Sequence, residues 1–211
     1  DVKVRENAAK TLEYAYDDFA IYQFGKALGK PASEIDIYAK RSMNYKNLFD
    51  PASGLMRGKN ADGTFQSPFS PFKWGGAFTE GNSWHYTWSV FQDVAGLAKL
   101  MGGTKSFENA LDSLFIKNEY WHGNEPGHQI PFLYNYTSSP YKTQREVRKI
   151  LTEEYSDGAG GLSGNDDAGQ MSAWYVFAAM GFYPVDPVSN NYLLTSSLFD
   201  KVTMRLQGNK L

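Results

Sequence analysis

Three short stretches of this 211-residue sequence carry the acidic side chains best suited to chemistry. Glu80 lies in FTEGNSWHYTW, with Phe78, Trp84 and Trp88 close by in sequence. An apolar neighbourhood disfavours a carboxylate and raises its pKa, the condition for a general acid at neutral pH. The structural reading is that Glu80 merely supports the start of a helix beginning near Ser83, and the sequence leaves the two evenly matched. Asp166 and Asp167 lie in GNDDAGQMSAW, where a glycine-rich turn meets an apolar helix. Carboxylates in a first helical turn are held ionised by the exposed amides and the dipole, which suits a general base or a metal ligand. Capping explains one such aspartate, but two of them beside Asn165 are more polarity than a cap needs. Asn124 and Glu125, in GNEPGHQIP, offer oxygen ligands ahead of Pro126, which favours an extended conformation at Glu125. An ordinary polar turn explains the same residues and is the reading their spacing favours. With no cysteine and three histidines (His85, His122, His128), a metal held here would be a hard cation on oxygen, calcium first.

Helices and loops must position these groups. Helical spacing predicts a first helix over about Arg5–Leu28, stopped by Gly29 and Pro31, and a second capped by Ser33 that runs to about Asn47. The vicinal Asp17–Asp18 pair cannot share one face of the first helix, so one aspartate is free to face inward. Residues 49–65 read as a loop with a small hairpin near Asp62-Gly63, and 66–83 as a long irregular loop of the kind that carries function. Further helices are expected over about Trp84–Met101, Ser106–Ile116, PFLYNY, Thr143–Tyr155 and Gln170–Met180. Short strands follow at Tyr192–Thr195 and Lys201–Leu206. Helices alternating with long loops suit a toroid better than a simple bundle.

Composition removes several classes. Lys plus Arg (21) against Asp plus Glu (23) gives a net charge of −2, which argues against a nucleic-acid binder or a polybasic anchor. No apolar run approaches the roughly 18 residues of a membrane span. The absence of cysteine excludes disulfides and thiol catalysis within these residues. GLSGN has no apolar strand before it and so is no nucleophile elbow, and GAGGLSG lacks the Lys-Ser/Thr of a phosphate loop. Aromatic residues make up 16%, enough to fill a core and to stack on sugar rings. There is no initiator Met or leader, so the chain reads as a piece of a longer or processed protein.

Taken together, TLEYAYDDFAI, FTEGNSWHYTW, NEPGHQIPFLYNY, TQREVRKI and GLSGNDDAGQMSAWYVFAAMGFYPV resemble glycoside hydrolase family 92, the calcium-dependent exo-acting alpha-mannosidases that invert the anomeric centre. The match covers essentially the whole chain in order, and five blocks in sequence are specific. The resemblance implies a mainly α fold, part of an (α/α)6 toroid with a few short β-strands, especially near the C-terminus. Residues 1–190 would be the C-terminal part of the toroid and 191–211 strands that close it. The family's N-terminal β-sandwich and early helices are absent from this chain.

Carried over by position, Glu80 matches the general acid and Asp167 the general base. Many relatives have a second carboxylate where this chain has Asn165, and Asp166 is the candidate replacement. Asn124 and Glu125 match the pair at the +1 sugar site; alpha-1,2-specific members have His at the first, so no 1,2 linkage is assigned. Glu125, Asn82 and Asp167 surround the expected calcium, and Trp74, Trp84 and His128 are candidates for sugar contact. The implied partners are mannose-containing glycans and the missing N-terminal domain of the same polypeptide, and the implied location is secreted or periplasmic. The isolated piece is expected to be inactive and to associate through exposed helix faces. The alternatives are a non-catalytic carbohydrate-binding helical domain, a structural or interaction module, or a toroid glycosidase for another sugar.

Overall fold

A computed structural model describes residues 4–205. Contacts divide the chain into two compact units: one comprises residues up to Trp121 together with Asp186–Asn190, the other His122–Val185 and the residues from Asn191 onward.

The first unit opens with α1 (Asn7–Ala27), which packs on α2 (Ala32–Arg41). The two helices approach closely at Gly25, where an added Cβ would come within 2.6 Å of Ile35 Cγ2. Of the acidic pair on α1, Asp18 faces inward at 3% exposure and accepts a hydrogen bond of 2.8 Å from Arg41 Nε, while Asp17 stays exposed. The second helix is not capped by Ser33. Pro31 precedes its first residue, because a fixed φ and a missing amide suit the point where helical amides have no partner. It ends at Arg41, short of Asn47, and the chain continues as a 3-10 turn over Asn44–Leu48.

The strands β1 (Phe49–Asp50) and β2 (Leu55–Met56) pair antiparallel. A second narrow turn closes on a bridge between Lys59 and Phe65, with Asp62 Oδ1 accepting the amide and hydroxyl of Thr64. The continuous helix expected over Trp84–Met101 is instead α3 (Ser83–Tyr86), a 3-10 turn at Phe91–Asp93 and α4 (Val94–Leu100). Asp93 explains the interruption. Its side chain accepts the Gly96 amide at 2.9 Å and the Tyr45 hydroxyl at 2.6 Å, starting a new helix with its own cap. Gly102 and Gly103, both at positive φ, turn the chain into α5 (Thr104–Ile116). Trp88, Phe107, Leu97, Leu111 and Leu114 fill the core of this unit.

The second unit begins with 3-10 turns over Glu125–Gly127 and Ile130–Tyr136, where PFLYNY was expected to be helical, then α6 (Pro140–Glu153). An irregular segment with a bridge between Tyr155 and Leu162 leads to α7 (Gln170–Met180). Trp174 of α7 is fully buried and contacts the rings of His122, Phe132, Tyr155 and Tyr183. The strands β3 (Phe182–Tyr183) and β4 (Leu193–Leu194) pair antiparallel, so the strand expected at Tyr192–Thr195 is present in shortened form. The second expected strand is not: Lys201–Arg205 is exposed and irregular, with no ladder partner among the described residues, while Leu206, Gly208 and Asn209 lie outside them. Among the described residues no helix is long and apolar enough to cross a membrane.

Because Asp93 serves the start of α4 and the hydroxyl of the buried Tyr45 together, Asp93→Ala should cost about 1–3 kcal/mol in urea unfolding. A loss smaller than that range would mean water replaces both bonds.

Candidate active site

In the first unit, Glu80 sits at the end of a loop fastened by backbone bonds. The start of α1 has amides with no helical partner. Gly76 O accepts from the Glu6 amide at 3.0 Å, and Ala77 O accepts from Ala8 and Ala9 at 2.9 and 3.1 Å. The Gly75 amide donates to Gly81 O at 2.9 Å and pinches the segment that carries Glu80. On the far side Asn82 caps α3 by accepting the His85 amide at 3.1 Å, and Ser83 Oγ donates to Met56 O at 2.6 Å. The result corrects one expectation: Glu80 is exposed and not roofed by aromatics, because Phe78, Trp84 and Trp88 are buried.

Glu80 does have acidic company. Loss of hydration raises the Glu13 carboxyl above its ordinary range, and repulsion from Asp17, Glu80 and Glu6 adds to it. Trp84 is buried, stacks on Phe72 and lies under the Lys117 ammonium, so it offers little face to a sugar. Trp74 is 53% exposed and rests against His85 and Trp121, each at 5.8 Å between ring centroids.

In the second unit the acidic pair precedes α7 and is not in its first turn. Asp166 performs the capping: its Oδ1 accepts both the amide and the hydroxyl of Ser172 at 2.9 Å. Asp167 and Ala168 then take left-handed backbone, at φ 48° and 56°, before Gly169 at 101°. Non-glycine residues there cost about 1–3 kcal/mol each, strain that persists where the surroundings over-determine it. Asp167 is thereby presented to solvent, with its carbonyl accepting from the Gln170 amide at 3.3 Å. A pocket of about 420 Å3 opens beside the cap, lined in part by Tyr155, Asp157, Ser172 and Tyr175.

Asn124 is buried and extended, and Glu125 begins the 3-10 turn, so the extended backbone falls one residue earlier than Pro126 led us to expect. Pro126 takes the second position of that turn, where a missing amide leaves no acceptor unserved. His128, expected at the sugar, is 2% exposed and bound into the core of the unit. Its Nε2 lies 3.1 Å from His122 O, its Nδ1 3.3 Å from Gln170 Nε2, and its own carbonyl accepts Trp174 Nε1 at 2.9 Å. Gln170 and His122 are partners that sequence spacing did not single out. Burial pushes the His122 imidazole from 6.5 down to about 3, aided by His128, and His128 is lowered chiefly by burial too.

Of the residues expected near calcium, Asn82 lies in the first unit, where its Oδ1 accepts the His85 amide, and Glu125 and Asp167 lie in the second; among the described residues no group of three or more His, Asp or Glu side chains suited to a metal gathers.

The whole chain, residues 1–211, matches the catalytic-domain model of glycosyl hydrolase family 92, and it belongs to that family. It is 42% identical to a family 92 inverting mannosidase of Bacteroides thetaiotaomicron, whose structure it matches with a TM-score of 0.92 over 99% of this chain and 32% of that one. A second alpha-mannosidase of the family from the same organism, solved with mannoimidazole, is 40% identical with a TM-score of 0.92, over 99% of this chain and 30% of that one. An uncharacterized secreted glycosidase of the fungus Arthroderma benhamiae is 31% identical over 93% of this chain and 28% of its own length. The chain thus spans about a third of the length of these relatives. A mainly α chain with few short strands, part of an (α/α)6 toroid, is the fold class it shares with the solved pair.

Buried neutral imidazoles make a pH prediction. The unfolded chain protonates His122 near 6.5 while the folded chain resists until about 3, so folding stability is full above 6.5 and falls as pH drops through that window. His122→Asn should flatten the loss measured by denaturant titration across that range; an unchanged slope would assign acid sensitivity to other groups.

Proposed function

We propose that the longer protein to which this chain belongs is an exo-acting, inverting alpha-mannosidase that releases terminal mannose from glycans, and that Glu80 and Asp167 do its acid–base work. Residues 1–190 would then supply later helices of the catalytic toroid, and 191–211 would close it. The observation that carries the reading is the match of all 211 residues to the family 92 catalytic domain, with Glu80 and Asp167 both exposed on loop ends. Solved relatives described as mannosidases supply the sugar.

The chemistry asks unlike things of two carboxyls. A protonated Glu80 gives its proton to the glycosidic oxygen as the bond to the anomeric carbon breaks. Asp167, ionised, takes a proton from the water that attacks that carbon from the opposite face. Asp166 is spent on Ser172, so helix capping makes no demand on the Asp167 carboxylate. Trp74, half exposed in the loop that carries Glu80, is the aromatic best placed to meet a sugar face. Asn124 and Glu125 contribute to the neighbouring sugar site through the 3-10 turn. Export is proposed from the relative named as secreted, and partnership with the portion of the relatives' length that this chain does not span from the shared length.

In the full-length enzyme, Glu80→Gln and Asp167→Asn should each lower kcat for release of mannose from defined disaccharides roughly 10²- to 10⁴-fold. Activity retained by either variant would remove that residue from its role, and binding of mannosides without turnover would favour a carbohydrate-binding domain. Calcium assistance, implied by resemblance alone, has a separate test. Dialysis against a chelator should abolish mannose release and added calcium should restore it, whereas unchanged turnover would take the cation out of the account.

A further inference from the structure

Two loops of the second unit carry candidate functional residues, and the structure joins them at two points. The first is steric. An added Cβ on Gly164 would lie 2.0 Å from Gly123 O and 2.6 Å from Gly123 C, so the segments before Asn124 and before Asp166 touch backbone to backbone. Only glycine permits that approach.

The second junction is a chain of hydrogen bonds whose directions can be worked out. A carbonyl oxygen only accepts, so His128 Nε2, 3.1 Å from His122 O, carries the proton. In the neutral ring Nδ1 is therefore an acceptor, and Gln170 Nε2 donates to it at 3.3 Å. The amide of His128 donates to Glu125 O at 3.0 Å, and the amide of Gln170 donates to Asp167 O at 3.3 Å. Two residues thus link the backbone of Glu125 to the backbone of Asp167. Each is anchored elsewhere as well: the His128 carbonyl takes the Trp174 indole proton at 2.9 Å, and Gln170 Nε2 reaches the Tyr183 hydroxyl at 3.4 Å.

We propose that His128 and Gln170 are positioning residues, a brace that fixes the Asp167 turn against the Asn124–Glu125 turn while touching neither substrate nor reacting atoms. This rests on the proposed roles of Asp167 and Glu125, but the brace itself can be read without activity. Misplacing a base by about 1 Å can cost on the order of 10²-fold in rate, so the brace acts on kcat more than on binding.

The experiment uses the full-length enzyme with Gln170→Met, His128→Leu and His128→Asn, the last keeping an acceptor close to the position of Nδ1. Hydrogen–deuterium exchange over residues 160–170 should rise in Gln170→Met and His128→Leu at a nearly unchanged thermal midpoint, and return toward the parent in His128→Asn. In the same proteins kcat should fall roughly 10- to 100-fold with KM within about threefold, with His128→Asn recovering most of the loss. The double variant Gln170→Met with His128→Leu should be no slower than the worse single variant. Unchanged exchange in Gln170→Met would overturn the brace whatever the chemistry. Raised exchange with unchanged kcat would overturn its part in the reaction, and Asp167→Asn at full activity would instead point to failure of the functional reading. Should His128→Leu fail to fold, Gln170→Met alone decides each outcome.

Discussion

Asp166 takes the amide and the hydroxyl of Ser172, and the shape of the second unit's loop depends on that pair of bonds. A helix start has amides that need acceptors, and here the acceptor arrives from six residues upstream. The chain between must then climb through left-handed backbone at Asp167, Ala168 and Gly169 to reach α7. Asp167 is presented to solvent because its neighbour is committed. At the start of α1 the division of labour is the same: carbonyls of Gly76 and Ala77 answer the helix, and Glu80 follows a few residues later. In both units the residue with proposed chemistry is placed by the bonding of others.

Beneath the Asp167 turn, buried polar groups of the second unit bond to one another. His122 Nε2 and the Tyr155 hydroxyl lie 2.6 Å apart, and that hydroxyl donates to Met171 O at 3.1 Å. Buried polar groups are costly when unmatched and stiff when matched, and here the matches join segments distant in sequence. Burial lowers both imidazoles and so favours the neutral rings for which the His128 hydrogen-bond directions are drawn.

Sequence reading succeeded where local signals act alone. The boundaries of α7 coincide with Gly169 and Gly181, whose positive φ ends the helical pattern at each side. The split of Asp17 from Asp18 follows from helical periodicity. It failed where a distant partner decides. Asp93 breaks the expected Trp84–Met101 helix because it also binds Tyr45, forty-eight residues away in sequence. Trp84 and His128 have side chains suited to sugars, yet each is buried by packing that no spacing rule reveals. Exposure of Glu80 was misjudged for a related reason: the aromatics flanking it turn into the core and leave the carboxylate outside. Gly123 and Gly164 look like ordinary loop glycines until the structure shows them in contact.

The account stands on one carboxyl giving a proton while another draws one from water across the sugar ring, and that arrangement leaves a stereochemical record. Proton NMR of the first turnovers of the full-length enzyme on an alpha-mannoside reads it directly. The account predicts that beta-mannose is the first anomer formed, with alpha-mannose growing in only by mutarotation. Alpha-mannose as the initial product would contradict it, because that outcome requires a covalent intermediate and a different use of Asp167.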